Sequence, residues 1–279
     1  MSRAEPVAAP PARAFALLGS ELSVLFRRRR TWAMLAALAL VPILVGIAVR
    51  IRSSSNGPAF LAAISDNGLF VSFTGLTVSI PLFLPLTIGV VAGDTIAGEA
   101  SLGTLRYLLV APTGRVRLLL VKYAGAAVFA LAAPLVVLLA GVGIGALLFP
   151  IGPVTLLSGN TVGIDGFAVR ALLLAAYVAV SLLGLSAIGL FVSTLTTVPV
   201  GAMAATIVLA AAAQILDTLP QLDWLHPWLF SHYWFGFADL LRDPIAWDSF
   251  GQNALLQLGY IAFFGGLAYG RFATKDILS

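Results

Sequence analysis

Apolar residues run along this chain in long blocks rather than in alternation. A bilayer crossing takes about 20 mostly apolar residues over roughly 30 Å of hydrocarbon. Six stretches qualify, approximately Thr31 to Val49, Leu69 to Ala92, Leu118 to Phe149, Arg170 to Thr194, Val198 to Leu216 and Asn253 to Phe272. The third is longer than a bilayer needs, which predicts tilt, a kink at Pro134 or extension beyond the membrane. Only a few residues around Thr196 and Thr197 separate the fourth from the fifth, so these two form an antiparallel hairpin. The predicted fold class is all-α: a polytopic membrane protein with six transmembrane helices in a single domain over residues 1–279. The first apolar run has full span length and no Ala-x-Ala-like cleavage site after it, so it is expected to remain in the mature chain.

Composition agrees with this pattern. Of 279 residues 60% are hydrophobic and 10% charged, against about 25% charged in an ordinary soluble domain, and the mean hydropathy is +1.01. Such a chain cannot cover a soluble surface with charge, which excludes a soluble enzyme, a nucleic-acid-binding domain and a disordered chain. The net charge of +4 is therefore no nucleic-acid footprint. The absence of cysteine excludes disulfides, thiol nucleophiles and thiolate metal sites.

The placement of the basic residues gives an orientation. Arg3, Arg13, Arg27, Arg28, Arg29, Arg30, Arg106, Arg115, Arg117, Lys122, Arg271 and Lys275 fall on one side of the six spans, whereas Arg50, Arg52, Arg170 and Arg242 fall on the other. Lys and Arg collect on the cytoplasmic side, so both termini are expected to be cytoplasmic.

Three segments outside the spans carry further signals. In residues 12–30, Phe15, Leu18, Leu22 and Leu25 share one helix face that ends in Arg27–Arg30. This predicts an interfacial helix whose arginines reach lipid phosphates, with a cytoplasmic extension of the first span as the alternative. In residues 94–117, Leu102, Leu105 and Leu109 recur at helical spacing with the polar Glu99 before them and Arg106 between them, and Ala111-Pro112-Thr113-Gly114 makes a turn. Composition alone leaves an interfacial loop and a docking helix equally open there. Residues 217–251 are broken by Pro220, Pro227 and Pro244 yet rich in Trp and Tyr, which predicts two short helices dipping into the outer leaflet.

The run Glu99-Ala-Ser-Leu-Gly103-Thr104-Leu105, followed by Pro112, Arg115 and Lys122, resembles the intracellular signature of permeases of the ABC transporter type-2 class. The six-span count, the amphipathic N-terminal helix and the long segment between spans five and six fit the same class. The resemblance implies that Glu99, Gly103, Thr104, Leu105, Arg106 and Leu109 belong to a coupling helix that docks into a separate ATP-binding subunit. It implies two copies of that subunit, holding ATP and Mg, beneath a pair of permeases, identical or homologous. It also implies re-entrant helices capping the exit of the pathway.

Chemistry on the chain itself is sparse. A phosphate-binding loop needs a Gly-rich turn before Lys, and the only lysines, Lys122 and Lys275, follow none. No cofactor, catalytic residue or metal site is therefore assigned to this chain, and ATP hydrolysis is expected on a partner. His226 and His232 lie among aspartates in the outer segment without the spacing of a defined ligand motif. The spans lack mid-membrane carboxylates or histidines, which argues against an ion-driven carrier. Gly89 with Gly93, Gly141 with Gly145, and Gly266 with Gly270 predict close helix contacts. Pro81 and Pro85 predict a bent or unwound second span. Its hydroxyls (Ser72, Thr74, Thr77, Ser79, Thr87) either re-satisfy the backbone or line a path. The resemblance favours the path, with Phe73, Thr77, Thr206 and Gln214 as its lining.

The sequence thus reads as the permease of an ATP-driven exporter in a bacterial plasma membrane. An apolar pathway puts amphiphilic or hydrophobic small molecules first as cargo and a lipid or glycolipid second. A membrane-embedded lipid-modifying enzyme and a non-transporting anchor are the rivals from other classes. Replacing Glu99 and Gly103 is expected to uncouple transport without affecting folding, whereas an anchor has no transport to lose.

Overall fold

The computed structural model describes residues 12–51, 64, 67–104 and 114–274. The chain opens with α1 (Ala12–Arg27), and α2 (Arg29–Ile51) follows after a break at Arg28. The last carbonyls of a helix lack partners within it. Here the Thr31 hydroxyl donates to the carbonyl of Leu25 at 2.6 Å and the Trp32 indole to that of Phe26 at 2.7 Å. These two bonds fix the elbow between the helices.

The predicted second span is two helices, α3 (Phe70–Ser79) and α4 (Phe83–Ser101). Pro81 lies in the gap and has no N–H to give. Its carbonyl accepts a 2.6 Å bond from the Gln214 side chain, the kind of replacement partner that broken membrane helices need. Beyond Ala92, α4 continues to Ser101, so Asp94 and Glu99 belong to its end and not to a separate loop helix.

Helix α5 (Arg115–Leu148) runs 34 residues through Pro134. A two-stranded antiparallel hairpin, β1 (Val154–Thr155) with β2 (Thr161–Val162), turns at Gly159, whose φ of +86° suits glycine. Then come α6 (Ile164–Leu195) and α7 (Pro199–Asp217). Three 3-10 helices, Pro220–Leu222, His226–Trp228 and His232–Leu241, occupy the segment for which two helices were expected. Helix α8 (Asp248–Thr274) closes the chain.

Among the described residues, five helices (α2, α4, α5, α6 and α7) are long and apolar enough to cross a membrane. This is a mostly helical, multi-pass membrane protein. Helix α8 has the length, with 27 residues, but polar groups dilute its first turns. Two of them, Asn253 and Gln257, are buried and paired. Asn253 donates to the Ser181 hydroxyl at 2.8 Å, and Gln257 donates to the Phe230 carbonyl at 2.9 Å while accepting from the Gly184 N–H at 3.2 Å.

Helix α6 is the central post, packed by α4, α5, α7 and α8. The most apolar stretch of α6 is 67% buried, against 22% for α7, so α7 presents most of its surface outward. Close approaches occur where glycines permit them. A Cβ on Gly93 would stand 2.8 Å from Met203 Cα, and one on Gly89 2.7 Å from the Ile207 side chain; Gly141 and Gly145 lie against Ser72 and Gly68. Gly266 and Gly270 correct the expectation, because a Cβ at either would meet nothing within 4 Å. Equal spacing marks a smooth helix surface that can pack closely, but it does not by itself produce a close contact.

The 3-10 segment is stitched to the bundle by side chains. Tyr177 donates to the Tyr233 carbonyl at 2.7 Å, the Trp234 indole to Ser181 at 3.1 Å and Tyr260 to Trp228 at 2.8 Å. Trp234, Phe237 and Leu240 are buried, whereas Trp224, Trp228 and Trp247 are exposed, as boundary tryptophans are.

Candidate functional site

At one end of the bundle α1, the end of α4 and the start of α5 converge on charged side chains. Lys122 of α5 is only 4% exposed. Its ammonium lies 3.0 and 2.9 Å from the two carboxylate oxygens of Glu21 on α1, and 3.0 Å from Glu99 on α4. An ammonium so far from water needs such partners. One lysine therefore ties three segments together.

A second cluster adjoins it. Asp94 on α4, 12% exposed, accepts from Arg28 at 2.7 Å and from Arg30 at 2.6 Å. Gly98, one turn on, leaves space for this carboxylate, because a Cβ there would stand 2.8 Å from Asp94 Oδ1. The arginines come from the α1–α2 elbow, so the elbow is bound to α4. Arg28 and Arg30 thus bind a carboxylate of the protein, while Arg27 and Arg29 are exposed. A cavity of about 30 Å³ lined by Glu21, Arg28, Asp94 and Lys122 separates the clusters. On the α6 side, Ile96 and Ala97 donate backbone N–H bonds of 2.9 and 2.8 Å to the Ser193 hydroxyl.

The Glu99–Thr104 run has a structural logic. Helix α4 ends at Ser101, and Gly103 follows at φ +71° with its N–H on the Ala100 carbonyl at 3.1 Å, a common glycine termination. That turn brings the Thr104 hydroxyl back to Glu99, where it meets the backbone carbonyl at 3.1 Å and the carboxylate. Glu99 thus faces inward to Lys122 and Thr104. Leu105, Arg106 and Leu109, the remaining residues expected on the coupling helix, lie outside the described residues. We predict that Gly103→Ala raises the energy of this turn by about 1–2 kcal/mol, since nothing else obstructs a Cβ there. The check is a Tm lowered in detergent by about 2–4 °C per kcal/mol, with Gly143→Ala on α5, likewise open, as the comparison.

The four residues expected to line a path fall on two helices, Phe73 and Thr77 on α3 and Thr206 and Gln214 on α7. Phe73 is 6% exposed and packs on Phe167 at 5.2 Å; Thr206 is fully buried and bonds the Ala202 carbonyl at 2.8 Å. Gln214 holds the break at Pro81. Thr77 is exposed on α3, with its hydroxyl on Phe73 at 2.9 Å. Ser72, Thr74, Ser79 and Thr87 likewise bond nearby backbone carbonyls at 2.6 to 3.0 Å. Like Thr77, Val78, Leu82 and Leu86 are exposed, and α7, which packs on α4, exposes Val208, Leu209 and Ile215. In the outer segment His232 bonds Asp217 at 2.8 Å, His226 lies 3.6 Å from Asp223, and the two rings stack at 6.1 Å.

Sequence reasoning missed Lys122 as the centre of the junction and Glu21 as its partner. The signal was present, for a lysine inside the apolar run from Leu118 needs a counter-ion. Against this geometry, a family model described as "ABC-2 family transporter protein" matches residues 17–213. The match begins within α1 and ends in α7, short of the outer segment and α8. No curated protein matches the sequence.

Proposed function

This chain belongs to the ABC-2 family of transporter proteins, and from that premise we propose that it is the permease of an ATP-driven exporter moving an amphiphilic or hydrophobic small molecule out of a bacterial cell. In this reading α3 and α4 together make one span and α8 the sixth. Both termini are cytoplasmic, the outer 3-10 segment dips into the far leaflet, and a second permease, identical or homologous, covers the outward face of α3, α4 and α7. That face is apolar and carries Thr77 at its edge, which supports an apolar pathway between the permeases.

The observation that carries the reading is the charged junction. The segment 105–113 joins the end of α4 to the start of α5; the α4 flank is bound to the α1–α2 elbow through Asp94 and to Lys122 through Glu99, and Lys122 on the α5 flank is bound to α1 through Glu21. A push received there by docking of an ATP-binding subunit would reach three helices at once and not dissipate in a loop. Two such subunits would hold ATP and Mg, while this chain transmits movement and hydrolyses nothing. Lipid or glycolipid export is the second choice of cargo.

The test uses everted membrane vesicles containing the chain and its ATP-binding subunit, with a panel of fluorescent amphiphiles. ATP-driven accumulation of at least one dye is expected, and none of any dye or lipid analogue would refute an exporter. Glu99→Gln should lower accumulation about 2- to 30-fold, the span of typical coupling energies. The geometry also revises the expectation that Glu99 can be replaced without affecting folding. Lys122 would keep Glu21 but lose one charged hydrogen bond, a cost of about 1.5–3 kcal/mol.

A further inference from the structure

Helices α5 and α8 both pack on α6 and also touch each other, and an open groove of about 220 Å³ lies among the three. Val116, Leu120 and Tyr123 of α5, Leu190 of α6, and Gly265 and Tyr269 of α8 line it. Gly265 lines it without a side chain, and a Cβ there would meet nothing within 4 Å. Of the lining hydroxyls, that of Tyr123 donates to the Leu183 carbonyl at 3.1 Å. None of the lining residues is charged. The groove is also smaller than the roughly 300–1,000 Å³ of a drug-sized site. It suits a hydrocarbon chain.

One end of the groove is basic. Arg115, next to Val116, spans from α5 to α8 and donates to the Phe272 carbonyl at 3.1 Å, one turn beyond Tyr269. Arg117 and Arg271 follow on the two helices, and Tyr269 stands 48% exposed at the rim, the placement of an interfacial tyrosine. Under the orientation proposed above, this end lies at the cytoplasmic leaflet, where headgroups are anionic. We propose that the groove binds one acyl chain of an anionic phospholipid of the inner leaflet, with its phosphate at Arg115. The site needs neither ATP nor a second permease, so it stands or falls separately from the transport reading.

The experiment is native mass spectrometry of the full-length chain in detergent, titrated with dioleoylphosphatidylglycerol or dioleoylphosphatidylcholine. We expect one tightly retained phosphatidylglycerol, bound about tenfold better than phosphatidylcholine. Each methylene displaced from an apolar site weakens binding about fourfold, so Gly265→Leu should cost at least about tenfold. Gly266→Leu, equally open but outside the groove, should bind like the wild type. Arg115→Gln should abolish the preference between the two lipids. Should Gly265→Leu fail to fold, Val116→Trp narrows the groove from its exposed opposite wall and must give the same loss. Equal binding of the two lipids by the wild type, or equal retention by Gly265→Leu and Gly266→Leu, would overturn the proposal.

Discussion

Replacing Lys122 with Met should be among the most damaging single changes in this protein. The substitution keeps the length of the side chain and removes its charge, leaving Glu21 and Glu99, 22% and 15% exposed, to face each other without a cation. Removing one partner of a buried ionic group costs about 3–5 kcal/mol; the partial exposure of both carboxylates places this case near the lower bound of that range. Lys122→Met is expected to show a sharply reduced yield of monodisperse protein and a lower Tm by fluorescence-detected size exclusion. Adding Glu21→Gln and Glu99→Gln should recover much of the stability, because an uncharged cluster leaves no orphan charge. It should not restore ATP-driven transport if the ionic ties carry the coupling. A Lys122→Met protein as stable as wild type would remove the junction from the account.

The second large effect is expected at Gly93. A side chain there runs into backbone, since even a Cβ would stand 2.8 Å from both N and Cα of Met203. Backbone cannot rotate away as a side chain can, so Gly93→Leu must push α7 off α4. Overpacking costs about 1–3 kcal/mol in forgiving sites, and this one is not forgiving, so a loss at or above the top of that range is expected. Thermal unfolding in detergent checks it, with Gly266→Leu, where a Cβ meets nothing within 4 Å, expected to match wild type. Similar losses from both substitutions would mean that α8 packs on something the single chain does not contain.

These two sites show what the sequence could convey. Spacing identified Gly89 and Gly93 as close-packing positions, whereas at Gly266 and Gly270 the same spacing leaves open space around a Cβ. Four-residue intervals report a smooth helix face, not what lies against it. Apolar runs gave the helices because bilayer thickness fixes their length, and Pro81 gave the break because a proline has no donor. The charges were harder. Lys122 and Glu21 are 101 positions apart, and Arg28 and Asp94 are 66 apart, so their pairing depends on how helices cross and no local pattern carries it. The arginine cluster accordingly read as facing lipid, while two of its members bind Asp94. The hairpin at 154–162 went unread although Ser158-Gly159 is a turn signal, because two-residue strands leave almost no periodicity. In the outer segment, proline spacing excluded a long helix but could not choose between short α-helices and the 3-10 turns that form.

Glu99, Gly103 and Thr104 were legible as a motif, and the structure adds why the three residue types occur together. The glycine turns the chain, the threonine hydroxyl returns to the carboxylate, and the carboxylate meets the lysine. What docks on the segment that follows is the central claim. It is tested most directly by purifying the tagged chain from its native membrane in mild detergent and identifying the bound proteins by mass spectrometry. The account predicts recovery, in roughly equimolar amount, of a protein with a Gly-rich phosphate-binding loop ending in Gly-Lys-Ser or Gly-Lys-Thr, and its loss when Arg106 and Leu109 are replaced together. Recovery of the chain with no such ATP-binding protein, and no ATP-dependent transport on co-expression with one, would contradict it.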